Sequence, residues 1–91
     1  MTPAEIIWEQ ITIQTKMACG ARDAICRGNV LTFTVKIKPN QFHSVRVTLD
    51  PSDTYIVELF SVRKGVTKLV ESHDDIYVDQ LNEVIYDMCN K

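Results

Sequence analysis

Two stretches of the chain alternate between apolar and polar residues, which is the pattern of a half-buried strand. Val30–Lys38 alternates leucine, phenylalanine, valine and isoleucine with threonine and lysine, and His43–Leu49 repeats the pattern. Thr54–Val62 would place apolar residues on both faces of a strand. This is typical of a central strand or of a strand whose second face is an interface. Val66–Ser72 is weaker and predicts an edge strand that carries charged residues.

Helix-like patterns flank the four predicted strands. Thr2-Pro3-Ala4-Glu5 places a capping threonine, a first-turn proline and a capping-box glutamate at the start of a helix that we expect to end at Gly20. Trp8 either broadens the buried face of this helix or is exposed. His73-Asp74-Asp75 predicts the start of a second helix, because either aspartate can cap it. Its apolar stripe is expected to contain Tyr77, Leu81, Val84, Ile85 and Met88.

Short turns join the predicted strands and decide how they are connected. Turn residues occur at Pro39-Asn40-Gln41, Asp50-Pro51-Ser52-Asp53 and Arg63-Lys64-Gly65. Residues 19–29 are predicted to form a connecting loop. Because connections this short favour strands that neighbour each other, we predict an α+β fold of order α-β-β-β-β-α. The N- and C-terminal helices would pack on one face of a four-stranded antiparallel sheet.

The length of 91 residues predicts a single domain over residues 1–91, since a second core would be too small to be stable. No stretch approaches the ~18 apolar residues of a membrane span. The N-terminus also lacks the basic-then-apolar order of a signal peptide, so we expect a cytoplasmic protein that does not bind a membrane. Three cysteines, Cys19, Cys26 and Cys89, are an odd set that fits a reducing compartment.

The charge of the chain is unevenly distributed, although its net value is only -2. Residues 20–70 carry eight bases and four acids, whereas residues 71–91 carry six acids and one base. This asymmetry predicts a basic sheet and an acidic C-terminal helix, and attraction between the two is its simplest explanation. On the predicted helix, Asp79, Glu83 and Asp87 are spaced to share one exposed side.

The sheet face opposite the helices is a predicted partner-binding surface. If the helices cover Phe33 and Val45, that face carries hydroxyl side chains and the bases Lys36, Lys38 and Arg46. The third predicted strand adds one of two apolar sets, and its sequence leaves the choice open: Tyr55, Val57 and Leu59, or Ile56, Phe60 and Val62. An apolar strip framed by threonine and basic residues is suited to docking a protein.

Metal binding and catalysis find little support in the sequence. Cys19 and Cys26 are farther apart than the paired cysteines of a structural zinc site. Cys26 adjoins Arg27, but no histidine is near it in sequence to serve as a base. The three glycines are isolated, so the chain has no glycine-rich phosphate loop. We therefore predict a protein that is not an enzyme, with no catalytic residues, metal or cofactor.

Two other functions fit the same surface. A nucleic-acid binder would use Lys36, Lys38, Arg46 and an aromatic residue of the third strand, Tyr55 or Phe60. Against it, the polar faces of the first two predicted strands carry no stacking aromatic, and the isoelectric point is about 5.6. A homodimer formed through the sheet face or the edge strand would explain the doubly apolar third strand without a different partner.

Short motifs along the chain resemble those of a family of small uncharacterised bacteriophage and mobile-element proteins. These motifs are Asp53-Thr54-Tyr55-x-Val57-Glu58, Ile76-Tyr77-Val78-Asp79-Gln80-Leu81, Ile6-Ile7-Trp8-x-Gln10-Ile11 and Gly20-Ala21. None of the motifs is catalytic. The resemblance implies a protein of the host cytoplasm that acts by stoichiometric binding to a host protein, such as a component of a defence system.

The leading hypothesis is therefore a small non-enzymatic protein-binding module that inhibits or redirects a host protein. It would bind through the open sheet face or through the acidic helix face. Asp79, Glu83 and Asp87 would suit a partner whose basic groove normally holds nucleic acid, since spaced carboxylates resemble phosphates. That version predicts that changing the three acids to lysine abolishes binding.

Overall fold

The computed structural model describes residues 2–38 and 41–89, with the backbone alone at residues 37, 38 and 41. Within these residues the chain forms three helices: α1 (Pro3–Gln10), α2 (Ile13–Cys19) and α3 (Leu81–Cys89). It also forms five strands: β1 (Arg22–Arg27), β2 (Val30–Lys38), β3 (Gln41–Leu49), β4 (Tyr55–Arg63) and β5 (Val66–Ile76). The strands form one antiparallel sheet in chain order, so the predicted α+β class and the meander are confirmed.

The N-terminal helical region begins as predicted and then breaks once. The Glu5 N–H donates to the Thr2 hydroxyl at 3.3 Å. The Thr2 N–H and hydroxyl donate to the Glu5 carboxylate, which lowers the pKa of Glu5. The prediction of one continuous helix is wrong, because Thr12 adopts extended backbone angles and caps α2 instead. Gly20 ends α2 in the left-handed conformation at φ 61°, as its position in the sequence predicts.

The prediction of four strands is wrong, because the segment expected to be a loop contains β1. This strand pairs antiparallel with β2. The sequence of β1 lacks the alternation of a half-buried strand, because only Cys26 in this strand is half-buried and the other five residues are exposed. Asp23 also interrupts the alternation, with φ 57° where the register shifts. The element order is α-α-β-β-β-β-β-α.

Two of the three predicted turns, at residues 50–53 and 63–65, agree with the structure. In the turn at residues 50–53, the Asp53 N–H donates to the Asp50 carbonyl at 3.0 Å. The Asp50 carboxylate accepts from the hydroxyl and N–H of Ser52, and these bonds lower the pKa of Asp50. Lys64 and Gly65 form the β4–β5 turn with positive φ angles. Of the third predicted turn, Pro39 and Asn40 lie outside the described residues, and Gln41 belongs to β3 rather than to the turn.

Strand β5 extends well past its predicted end at Ser72. Asp74 and Asp75 belong to the strand rather than to a helix start, so the prediction that they cap the last helix is wrong. Asp75 has φ 53° at a second irregularity in the pairing of β5 with β4. A bulge lets the strand continue to Ile76 while one extra residue is accommodated.

Helix α3 starts later than predicted, after a turn over residues 77–80. The Gln80 N–H donates to the Tyr77 carbonyl at 2.9 Å in this turn. Most of the predicted apolar stripe is confirmed, since Leu81, Ile85 and Met88 are buried and Val84 packs on the core. Tyr77 is the exception: it lies before the helix and is 59% exposed.

The helices pack on one face of the sheet, and the core lies between the two layers. The strand residues buried there are Leu31, Phe33, Val35, Val45, Val47, Tyr55, Val57 and Leu59. Trp8 broadens the buried side of α1, because its ring lies 5.3 Å from that of Phe33 and the Lys16 ammonium covers it at 4.2 Å. The helices pack on β1–β4 and leave most of β5 uncovered.

Membrane insertion was not expected from the hydropathy of the sequence. Within residues 2–38 and 41–89, none of the three helices is both long and apolar enough to cross a bilayer. The longest of them, α3, has nine residues.

Candidate functional site: the open face of the sheet

Strand alternation divides the sheet into a helix-covered face and an open face. The pairs Val45↔Leu59 and Val47↔Val57 point to the core, so the residues between them point the other way. On the three central strands the open face therefore carries Thr32, Thr34, Lys36, Phe42, Ser44, Arg46, Thr48, Ile56, Glu58, Phe60 and Val62. This assignment decides the alternative that the sequence left open for the doubly apolar strand.

An apolar strip runs across the open face from β3 to β5. We call Phe42, Ile56, Phe60, Val62 and Leu69 the open-face strip. Phe42, Val62 and Leu69 are each more than 40% exposed, and the other two are half-buried. Phe60 pairs directly with Leu69 on β5, and its partner on β3 is Ser44, so the strip is continuous between β4 and β5. A cluster of this kind on a solvent-facing sheet marks an interaction surface.

Arginine side chains cover both phenylalanine rings of the strip. The Arg22 guanidinium lies 5.3 Å from the centre of the Phe42 ring, and that of Arg46 lies 4.9 Å from the Phe60 ring. Arg46 also donates from two nitrogens to one oxygen of Glu58, at 3.0 and 2.9 Å. The strip is thus apolar at its centre and carries arginines at its rim. Each arginine is paired with a carboxylate, Arg46 with Glu58 and Arg22 with Asp23 at 3.8 Å.

Of the sheet residues predicted to bind a partner, some lie on the open face and others do not. Lys36 and Arg46 are exposed on the open face. Lys38 ends β2, and its side chain lies outside the described part of the chain. Tyr55 is in the core, 7% exposed, and its hydroxyl donates to the Gln10 side chain at 2.9 Å. Tyr55 is therefore absent from the open face, and Phe60 is the aromatic residue that β4 places there.

The predicted acidic residues lie on the other side of the molecule, around α3. Glu83 and Asp87 are exposed on the helix at i, i+4 spacing. Asp79 is exposed in the preceding turn, so it does not continue their helical row. The sequence predicts a row of three acidic residues on the helix, whereas α3 carries two of them, Glu83 and Asp87.

Phe42, Arg22 and Ile25 belong to the open face but were not predicted there. Phe42 shares the parity of Ser44 and Arg46, and this alternation would have identified it if β3 had been extended back by two residues. Arg22 and Ile25 lie on β1, the strand that the sequence pattern does not predict. Ile25 pairs with Thr32 and lines a depression of about 360 Å³ at the β1–β2 end of the face.

Bulges interrupt the pairing of both edge strands. The register of β1 against β2 shifts once, beside Asp23, and that of β5 against β4 shifts twice, once beside Asp75. A bulge breaks the regular row of N–H and C=O groups that an added strand would need. The sheet is therefore better suited to binding through its open face than to extension at an edge.

The three cysteines lie in two separate parts of the structure. Cys19 on α2 and Cys89 on α3 are buried together in the core, whereas Cys26 is half-buried on β1. A hydrogen bond with the Cys19 thiol, together with burial, raises the pKa of Cys89. Among residues 2–38 and 41–89, no three His, Cys, Asp or Glu side chains lie close enough to hold a metal ion.

We expect the three thiols to react with Ellman's reagent in two classes. Cys26 should react at least tenfold faster than Cys19 and Cys89 in the folded protein, because a thiol buried in the core reacts after local unfolding. All three should react at similar rates in concentrated guanidinium chloride. A Cys26→Ser variant serves as the control, and it should lose the fast phase. A fast phase that survives in this variant would contradict the burial of the other two thiols.

Comparison with known proteins leaves the resemblance to phage and mobile-element proteins as a prediction. That resemblance rests on short motifs. Within them, Asp53 lies in a turn and Thr54 immediately precedes β4. No match was found when the chain was compared with models of protein families, with curated proteins and with solved structures.

Proposed function

We propose that this chain is a non-enzymatic protein-binding module that docks a partner on the open face of its sheet. The observation that carries this proposal is the open-face strip, an exposed apolar row flanked by arginine and lysine. Burial of such a strip against a partner releases water from apolar surface, and the basic rim selects acidic partners. We further propose that the partner is a host protein which is blocked or redirected by stoichiometric binding.

The dimensions of the open face suit a protein interface of ordinary size. Strands lie about 4.8 Å apart and rise about 3.3 Å per residue, so five strands of about nine residues span roughly 20 by 30 Å. A standard interface buries roughly 800 Å² on each partner. Aromatic and arginine side chains are the residues that most often dominate the binding energy, and this face presents two of each in contact.

Single-stranded nucleic acid is the second candidate, favoured by the two phenylalanines on the open face. Aromatic rings on neighbouring strands are the usual stacking platforms for bases. Here, however, each ring is covered by a guanidinium, and Glu58 places a carboxylate beside Arg46. The net charge of -2 also opposes a phosphate backbone. These features favour a protein partner.

The proposal is tested by replacing two apolar residues of the strip that lie on one strand. An Ile56→Ser/Phe60→Ser variant should bind about tenfold more weakly to the partner isolated from nuclease-treated host lysate by the wild-type protein. Both side chains point away from the core, so the fold should be retained, and circular dichroism checks this. The matched control is Glu83→Lys/Asp87→Lys, which alters the opposite side of the molecule and should leave affinity unchanged.

Three outcomes would contradict the proposal. Loss of affinity in the helix variant, with the strip variant unaffected, would assign binding to the acidic side. Saturable binding of a fluorescent single-stranded oligonucleotide at low salt, lost in the strip variant, would favour nucleic acid. Light scattering that shows a dimer, which the strip variant converts to a monomer, would assign the face to a second copy of the chain.

A further inference from the structure

Two thiols lie together in the helix layer, on the side of the sheet away from the open face. Cys19 is the last residue of α2, and Cys89 is the last residue of α3. They are 1% and 5% exposed, so both belong to the core. Buried thiols pack as small apolar groups, but two thiols in contact can also be oxidised to a disulfide.

Helices α2 and α3 lie side by side and run in the same direction. The Thr12 N–H, directly before α2, donates to the Asn82 side chain in the first turn of α3 at 2.8 Å. Cys19 lies seven residues after Thr12, and Cys89 lies seven residues after Asn82, which is about two helical turns in each case. The contact between the starts of the two helices is therefore repeated at their ends, where Cys19 lies beside the last turn of α3.

The Cys19 sulfur contacts the turn of α3 that the Cys89 side chain covers. Its Sγ lies 3.9 Å from the Ile85 carbonyl oxygen, which accepts from the Cys89 N–H in the regular helical pattern. A side chain on a helix leans back over the turn before its own Cα, so that of Cys89 leans towards Ile85. The two sulfurs therefore approach each other. The hydrogen bond between the thiols, together with burial, raises the pKa of Cys89.

We propose that Cys19 and Cys89 are a redox site, at which a reversible disulfide joins α2 to α3. The oxidant is a low-molecular-weight disulfide such as oxidised glutathione. The crosslink closes a loop of about 70 residues, so it restricts the unfolded chain strongly and stabilises the fold. The site lies in the helix layer and is independent of the proposed docking on the open face.

The reaction is a thiol–disulfide exchange in two steps. Local opening of the last turn of α3 exposes Cys89, whose thiolate attacks one sulfur of oxidised glutathione. The S–S bond of the oxidant breaks, one glutathione leaves, and the other stays on Cys89 as a mixed disulfide. The Cys19 thiolate then attacks the Cys89 sulfur and releases the second glutathione. The chain gives up two electrons and two protons, which leave with the two glutathione thiols.

The full chain with Cys26→Ser is the protein to oxidise, because its two cysteines are those of the proposed site. Treatment with oxidised glutathione should lower its mass by about 2 Da, and dithiothreitol should restore the mass. Trypsin without a reductant should release residues 17–22 joined to residues 69–91. The urea midpoint, followed by Trp8 fluorescence, should be higher by about 1 M or more in the oxidised form than in the reduced form.

Cys19→Ala is the matched control, because it also keeps two cysteines, Cys26 and Cys89. It should take up glutathione without forming an internal crosslink, and circular dichroism checks that both variants are folded. Equal crosslinking in the two variants would overturn the proposal, since it would show pairing through the unfolded chain. Three results for Cys26→Ser would also overturn it: glutathione that stays bound, thiols that oxidise only in the unfolded protein, or a urea midpoint that falls on oxidation.

Discussion

Replacement of Phe33 by alanine is expected to lower the free energy of unfolding by about 3–5 kcal/mol. Phe33 is 1% exposed at the centre of the helix–sheet interface, and its ring contacts that of Trp8 at 5.3 Å. Truncation removes the apolar contact area and leaves a cavity that short helices on a rigid sheet cannot close. A domain of this length is stable by only about 5–14 kcal/mol, so the loss is a large fraction of the total.

Urea denaturation measures this loss, and the fluorescence of the single tryptophan, Trp8, reports it from the affected contact. Thr34→Ala is the matched control. Thr34 is the next residue of the same strand, and its side chain lies on the open face instead of in the core. Its unfolding free energy should lie within about 0.5 kcal/mol of the wild-type value. A Phe33→Ala loss below about 1 kcal/mol would contradict the placement of this ring in the core.

The parts of the fold that were predictable are those with strong periodicity. In β2 and β3 the alternation identifies Phe33 and Val45 as core residues and Lys36 and Arg46 as exposed ones, and the structure agrees. Local capping chemistry likewise locates the start of α1 at Thr2. In each of these cases the deciding interactions lie within a few residues of one another, where a sequence pattern can express them.

The errors occur where backbone conformation departs from the regular pattern. Asp23 and Asp75 adopt positive φ angles at bulges, and each bulge displaces the alternation by one residue. As a result, the sequence pattern predicts a loop where β1 lies and a helix start at the end of β5. Aspartate is common in turns, at caps and at positive φ, so its identity alone does not distinguish these conformations.

The types of residue at the candidate site were predictable, but not all of the individual residues that form it. Basic and hydroxyl residues were expected on the open face, and Lys36 and Arg46 lie there. The choice between Tyr55 and Phe60 depends on the register of β4 against β3, which no local pattern contains. Phe42 was not predicted, because β3 begins at Gln41, two residues before the alternating pattern that starts at His43.

The break between α1 and α2 also depends on a distant residue, Asn82. The Thr12 N–H donates to the Asn82 side-chain oxygen at 2.8 Å, and the Asn82 amide donates to the Gln10 carbonyl at 3.0 Å. These bonds satisfy one carbonyl at the end of α1 and one N–H at the start of α2. Asn82 thus joins the helix break to α3, 70 residues further along the chain.

Asn82→Ala is expected to lower the free energy of unfolding by about 2 kcal/mol, since it removes two hydrogen bonds worth about 1 kcal/mol each. Asn82→Asp keeps an acceptor for Thr12 but loses the donor to Gln10, so its loss should be smaller in urea denaturation. Glu83→Ala, at the next and exposed position of α3, is the control for helix propensity and should be nearly neutral.

Hydrogen exchange of the Thr12 amide distinguishes a clamp from a general packing effect. If Asn82 holds the break, this amide exchanges faster in Asn82→Ala than in the wild type, even under conditions where global stability is matched. The Thr12 hydroxyl still accepts from the Thr15 N–H at 3.3 Å, so the start of α2 keeps its local cap in the variant. Unchanged stability and unchanged Thr12 exchange would show that this local cap alone separates the two helices, and that the contact from α3 is incidental to the fold.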